Sequence, residues 1–542
     1  MSMDGTCTEP GTCIEPQSTI QNLMTQNRYA HLLILGLAVF IGFYGYIWSM
    51  PLFDLDEGAF TTATREMFLR HDFITPYLNS VPRFDKPILI YWLQAIPTYL
   101  FGFNEFAFRL PSALASTAWV YLIYRFMTEV TDSQKAFYAA LIASTSLMTT
   151  VVGKAAIADA VLILFVTWAM FAIFRHWQTE RAAYIRWAYL AMALGFLTKG
   201  PVAVVIPGAV SLLFYFSTGK WSSWWRAVLD WRGLVIFLLV ALPWYVLEYI
   251  REGQAFIDGF FLKNNVGRFN APMEGHSGGF WYYPIVTFIA LLPFTSLVVV
   301  AIRRGAGDLR SFWGRPENDQ KALIRFGWIW FLFVLILFSF SGTKLPHYLN
   351  YGLIGLIMIM AVYYPTIQNR FAHALPAWLF FTVLLALPSL LDVFFTKINP
   401  PYVQDMLADR AQYFGWSWYL PLVLFLLLSI VMVFQKRRSA AAIMIPLALS
   451  FSWIANAQLL PIVASLQQGP IRAAGLIARD LPGDAVMYKM NTPSFGVYAG
   501  KILKRHRPEA GNLVLTRVVD LDELPDAKVL FEQGGVALVR IR

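Results

Sequence analysis

The sequence predicts an all-α polytopic membrane protein with a small C-terminal α/β domain, and three observations carry that prediction. Hydrophobic residues fill 57% of the 542 positions and charged residues only 14%, with a mean hydropathy of +0.53, whereas a soluble chain is usually about 25% charged. Apolar runs long enough to cross a bilayer core about 30 Å thick recur along most of the chain, and only helices satisfy their own backbone groups there. From Leu466 onward the runs stop and charges are interspersed throughout. The composition excludes a disordered chain and a disulfide-built one. A net charge of +10, from 43 Lys and Arg against 33 Asp and Glu, would point to nucleic acid in a soluble protein. Here basic residues at helix ends account for it, and no nucleic-acid partner is expected.

Residues 1–31 read as a cytoplasmic tail. Its Cys7 and Cys13, the only cysteines, have no His nearby and predict neither a metal site nor a disulfide. No small-residue cleavage pattern follows the first apolar run, so a removed signal is not expected. The transmembrane region, 32–461, reads as thirteen spans near 32–50, 107–127, 136–152, 157–174, 187–198, 201–217, 233–250, 281–301, 326–341, 348–364, 374–394, 417–434 and 442–461. Segment 87–103, inside the first outer loop (51–106), is apolar enough to be a fourteenth. Proline at both 87 and 97, with two Tyr and one Trp in the segment, fits a helix lying in the interface better. The six inner loops carry 17 Lys and Arg in 75 residues and five of the outer loops 8 in 65. That asymmetry places 462–542 outside, as an α/β domain with a helix over Ile471–Leu481 and strands at Ala485–Met490 and Val536–Ile541.

Outer loops should be poor in cations, yet Lys86, Lys154, Lys199, Arg268 and Lys344 each sit beside a Pro, Gly or aromatic turn at an outer helix end. One alone would be explained by snorkelling to lipid headgroups. Five on one face suit an anionic ligand such as a phosphate. The first outer loop also holds Asp54-Leu55-Asp56-Glu57 and Arg83-Phe84-Asp85-Lys86-Pro87. Carboxylates at the mouth of a span should meet cations, a metal or a reacting hydroxyl. A helix over Glu57–Arg70 needs an N-cap, which is assigned to Asp54, leaving Asp56 as the candidate base. Asp159 is the other isolated carboxylate at a membrane edge, readable as a cap or as a site residue. No Walker, GxGxxG, GxSxG or HExxH pattern occurs, so no nucleotide cofactor is expected. His347 reads as a loop residue.

In order and spacing, Asp56-Glu57, Asp85-Lys86-Pro87 with Tyr91-Trp92, Arg109-Leu110-Pro111-Ser112, Thr198-Lys199-Gly200-Pro201, Arg268-Phe269 and Lys344-Leu345-Pro346 with Tyr348 form a recognisable series. Over roughly residues 30–460 the chain resembles the bacterial protein O-mannosyltransferase superfamily of GT-C membrane glycosyltransferases. Within it, the chain looks like the aminoarabinose (4-amino-4-deoxy-L-arabinose) lipid A transferase group. The resemblance implies a polyprenyl (undecaprenyl) phosphate sugar donor, inversion at the anomeric carbon, and an acceptor of the lipid A, lipopolysaccharide or other outer-leaflet glycan type. It also implies a bacterial inner-membrane location with the active site on the periplasmic side. It puts the catalytic carboxylate on Asp56 and the donor phosphate on Lys86, Arg268 and Tyr348, with Glu57, Lys199 and Lys344 supporting. A divalent metal of unspecified identity would fall on Asp85 and Asp159.

Two departures stand out. Gly58-Ala59-Phe60 replaces the Thr-Arg-Tyr that typically follows Asp-Glu in the aminoarabinose group, and Asn264-Asn265 stands where relatives often carry a His. The first leaves the sugar open and the second the metal. A protein O-glycosyltransferase of the same superfamily and a lipid flippase are the alternative functions. The spans are almost free of charge at their centres, which favours an enzyme working at the membrane surface over a transporter.

Overall fold

In the computed structural model, residues 29–271, 278–308, 313–399, 401–435, 439–504 and 506–542 are described. Cys7, Cys13 and most of the predicted N-terminal tail lie outside them. Each of the thirteen expected stretches falls on helix. In chain order the first half contains α1 (Tyr29–Tyr44), α2 (Asp56–Arg70), α3 (Leu89–Phe101), α4 (Glu105–Val130), α5 (Ser133–Thr145), α6 (Leu147–Lys154) and α7 (Asp159–Thr179). They are followed by α8 (Ala182–Lys199), α9 (Val202–Ser217), α10 (Trp221–Val228) and α11 (Trp231–Glu252). Among the described residues eight helices are long and apolar enough to cross a membrane, or ten if two bent pairs each form one span.

Those bent pairs depart from the straight runs read in the sequence. The stretch 136–152 is α5 and α6, meeting at 65°, and 281–301 is Tyr282–Ala290 and Thr295–Gly305, meeting at 120°. In the first, Ser146 leaves the helical region at ψ 146° between the two. The segment 87–103 forms α3, whose 13 residues rise only about 20 Å at 1.5 Å each. That is too short for a bilayer core.

The hairpin α7–α8 sets the position of the site. Its 21 and 18 residues correspond to roughly 31 and 27 Å of helix, so a two-residue turn at one membrane face brings Asp159 and Lys199 together at the other. Gly200 closes α8 at φ +80°, and a Cβ there would stand 2.6 Å from the Phe260 ring. Glycine both permits the turn and leaves room for the segment that delivers Arg268. That segment is a π-helical stretch, Ile257–Gly267, followed by a single turn, Arg268–Asn270.

The C-terminal domain begins differently from the sequence reading. Its helix is Leu460–Arg479, continuous with Ala440–Trp453 through a π-helical stretch over Ile454–Leu459, so one helical rod leads from the bundle into the domain. The domain is a four-stranded sheet. After the small antiparallel hairpin of β1 (Tyr77–Leu78) and β2 (Val81–Pro82) in the first outer loop, strands β3 (Ala485–Met487), β4 (Leu513–Arg517), β5 (Ala527–Gln533) and β6 (Val536–Ile541) are ordered β3-β4-β6-β5, with β3 parallel to β4 and the other pairs antiparallel. Strands β4 and β5 are not among those the sequence predicts. Charged residues interrupt β5, and β4 lies among too few alternating positions to stand out. A short helix, Ser494–Ala499, packs this domain onto α2.

Candidate functional site

One cleft gathers the polar ends of these elements. Asp56 starts α2, Arg83, Asp85 and Lys86 come from the turn before α3, Asp159 starts α7 and Lys199 ends α8. Arg268, His347 and Tyr348 complete it from the loops beyond, and Asn491 and Pro493 from the C-terminal domain. Four cations therefore face three carboxylates across one space, an arrangement suited to an anion.

Asp56 is solvent-exposed and makes no hydrogen bond or ion pair with any described residue. Glu57, next to it, has the opposite fate. Arg109 donates from Nε to Oε1 at 2.8 Å and from Nη2 to Oε2 at 2.5 Å, while the backbone N–H groups of Phe53 and Ala156 donate at 2.9 and 2.7 Å. Burial would raise the Glu57 carboxyl, but Arg109 and these donors hold it below its usual range. Glu57 thus ties α2 to α4 and to the turn before α7, one position after Asp56.

Lys86 donates to the Asp85 carbonyl at 2.9 Å. Burial, together with the Lys199 and Arg268 charges, pushes its ammonium down to about 7 against the pull of Asp85. A cation destabilised by its own neighbours gains from an arriving phosphate. Arg268 Nη1 donates to the Tyr348 hydroxyl at 3.4 Å. Arg83 pairs with Asp85 at 3.3 Å and covers the Phe60 ring. It lies in the Asp85 motif but was not singled out from the sequence.

Lys199 is answered by Asp159, donating to both carboxylate oxygens at 2.8 and 3.0 Å and to the Tyr351 hydroxyl at 2.7 Å. Tyr351 donates to Asp159 in turn, and His347 Nε2 lies 3.7 Å from the same carboxylate. His347 therefore lines the cleft from its loop turn, which its reading as a loop residue alone does not anticipate. Its placement depends on Asp159, 188 positions away, so no local pattern could reveal it.

Three readings are corrected. Asp54 does not cap α2, whose N-cap position is Leu55 with no side-chain bond. Instead its carboxylate accepts from the backbone N–H of Ser494 at 3.0 Å and from the Ser494 hydroxyl. The five outer cations do not form one cluster. Lys154 is buried and donates to the Gly45 carbonyl at 3.3 Å, and Lys344 donates to the carbonyls of Ser339 and Ser341 at 2.8 and 2.7 Å. Both satisfy carbonyls at helix ends, leaving Lys86, Lys199 and Arg268 at the cleft. Finally, the cleft does not fit the metal implied at Asp85 and Asp159. Arg83 and Lys86 flank the first, Lys199 occupies both oxygens of the second, and no three His, Cys, Asp or Glu side chains converge among the described residues. Asn264, near the position where relatives often carry His, donates to the Phe84 and Gly259 carbonyls.

The architecture is the GT-C glycosyltransferase fold of a multi-span membrane protein. ArnT from Cupriavidus metallidurans bound to undecaprenyl phosphate superposes with a TM-score of 0.79 at 19% identity, covering 94% of this chain and 98% of that one. Its apo form gives 0.78 at 18%, covering 96% and 98%. Within that fold the chain resembles the aminoarabinose transferase group of the protein O-mannosyltransferase superfamily. Residues 85–246 match the family described as dolichyl-phosphate-mannose-protein mannosyltransferase. An uncharacterized protein of Aquifex aeolicus is 29% identical over 351 residues, 64% of this chain and 76% of that one. The undecaprenyl phosphate-alpha-4-amino-4-deoxy-L-arabinose arabinosyl transferase of Edwardsiella ictaluri is also 29% identical over 351 residues, 62% of this chain and 60% of the relative. That of Photorhabdus laumondii is 28% identical over 317 residues, 57% and 55%. The chain thus spans little more than half the length of the arabinosyl transferases it matches.

Proposed function

We propose that the protein is an inverting glycosyltransferase of the bacterial inner membrane. It moves a sugar from a polyprenyl (undecaprenyl) phosphate to a lipid A-type or other outer-leaflet glycan acceptor on the periplasmic side. The observation that carries this reading is the meeting of an unpaired carboxylate, Asp56, with Lys86, Arg268 and Tyr348 in one cleft at the outer helix ends. In the reaction the acceptor oxygen bonds to the anomeric carbon as the bond from that carbon to the phosphate oxygen breaks. The electron pair leaves with the phosphate and the acceptor proton passes to Asp56. Arg268 can hold two phosphate oxygens with its planar fork, Lys86 supplies a point charge and Tyr348 a hydroxyl donor. Fixed cations where charge develops contribute more as the site dries, and the base contributes typically about 10²–10⁴-fold. An acceptor that is itself a phosphate needs no base, and Asp56 then orients it.

The test is transfer by the purified protein from radiolabelled polyprenyl-phosphate sugars to lipid A, glycan and peptide acceptors. Asp56→Asn should reduce turnover at least a hundredfold while donor binding is kept. Turnover within threefold of the parent, with Asp54→Asn inactive instead, would place the essential carboxylate at Asp54 and not at Asp56. Transfer to peptide alone would make the protein a protein O-glycosyltransferase.

A further inference from the structure

One wall of the cleft comes from the far end of the chain. The C-terminal segment around Asn491 is fastened on both sides. Ahead of it, the Tyr488 N–H donates to the Leu515 carbonyl at 2.9 Å, anchoring it to the sheet. Behind it, Asp54 accepts both donors of Ser494, Thr62 Oγ1 donates to the Pro493 carbonyl at 2.9 Å, and the Tyr498 hydroxyl accepts from the Leu52 N–H at 2.7 Å. This clasp onto α2 depends on Gly58. A Cβ at that position would stand 1.8 Å from Asp54 Oδ1 and 2.8 Å from the Ser494 nitrogen, so any larger residue would push the two apart.

The clasp sets Asn491 in the same cleft as Asp56, with its side chain exposed and hydrogen-bonded to no described residue. Ala59, also on the cleft wall, offers only a methyl group. The charged groups of the cleft suit a phosphate. Sugar hydroxyl and amino groups are matched best by a neutral group that donates and accepts at once, and a carboxamide has two donor hydrogens and one acceptor oxygen. Its flanks are already fixed, so little ordering is left to oppose binding.

We infer that Asn491, held by the clasp between Ser494 and Asp54, is a specificity-determining contact for the hydroxyl or amino groups of a sugar in this cleft. The sugar is either the one on the donor or one on the acceptor. The C-terminal domain is then part of the substrate site. This inference rests on the glycosyl-transfer reading above.

The experiment uses the full-length protein in lipid nanodiscs, varying donor and acceptor separately, with sugar-free polyprenyl phosphate as a binding probe. Asn491→Ala should raise one KM at least fivefold, donor or acceptor according to which sugar it touches. It should leave kcat within threefold and polyprenyl phosphate affinity within twofold. Ser494→Ala should raise the same KM and add nothing in the double variant, because it acts through Asn491. An active parent whose two KM values both stay within twofold on Asn491→Ala overturns this inference alone, as does an equal loss of polyprenyl phosphate affinity. A parent that transfers from no polyprenyl-phosphate sugar overturns the functional reading, and this inference with it.

Discussion

Lys86 is the residue whose behaviour the cleft most directly sets. Its ammonium, lowered to about 7 by burial and by Lys199 and Arg268, is charged below that pH and loses its proton as pH rises through it. A bound phosphate favours the charged form, so affinity for polyprenyl phosphate should be highest below pH 7 and fall as pH rises above it. A loss approaching tenfold by pH 9 is expected from one charge-assisted contact of about 1.5 kcal/mol. Lys86→Arg, which stays protonated, should flatten that profile. A flat profile in the parent would show that Lys86 does not meet the phosphate. The lowered value also means that the unfolded chain holds more protons between about pH 7 and 10.5, so this group makes the fold more stable as pH rises across that window. At this scale the sequence was informative about residue types and silent about partners. Asp54, Asp56 and Glu57 lie within four positions, and their spacing announces a helix start. Only a serine 440 residues away and an arginine 52 residues away decide that Asp54 binds the C-terminal domain, Glu57 is neutralised and Asp56 stays open.

Between elements, the buried Arg109–Glu57 pair fastens α4 to α2, the helix that begins at Asp56. Arg109 is 1% exposed, and besides Glu57 it donates to the carbonyls of Met50 and Pro51 at 2.7 and 2.8 Å, closing the turn from α1 into α2. Its motif was legible in the sequence, but its task was not, because a buried pair between α4 and α2 leaves no periodic trace. Removing one member of a buried pair strands the other charge and typically costs about 3–5 kcal/mol, whereas replacing both by apolar residues costs far less. Arg109→Ala should therefore lower the yield and melting temperature of folded protein sharply, with Arg109→Met/Glu57→Met partly recovering both. An Arg109→Ala protein that melts within about 2 °C of the parent would show that the network is dispensable. The bends at Ser146 and at Leu291–Phe294 follow the same logic. Both stretches read as straight because hydropathy reports which residues are apolar and not the path of the backbone.

For the molecule as a whole, the bilayer makes the bundle readable, since every span must hide its backbone and so writes itself as an apolar run. The docking of the C-terminal domain is under no such constraint, and its contribution to the cleft emerges only from packing. The two meet at Gly58 and Ala59. The aminoarabinose group, as the sequence resemblance has it, carries a Thr and an Arg there. This chain has a glycine that admits the Asp54–Ser494 clasp and an alanine without a donor. A site built to hydrogen-bond a polar group discriminates by as much as about 10⁴-fold against ligands that cannot return the contact. A polar contact from Asn491 in place of one at position 59 should therefore change which sugar or acceptor is taken, while the proposed phosphate contacts of Lys86, Arg268 and Tyr348 are kept. Expressed in a strain lacking its own aminoarabinose transferase, the protein should fail to restore polymyxin resistance or the matching mass shift of lipid A, yet bind polyprenyl phosphate when purified. Full restoration would mean that Ala59 is tolerated by the aminoarabinose substrate pair, and that the change at Gly58 and Ala59 alters how the domain docks without altering what the site transfers.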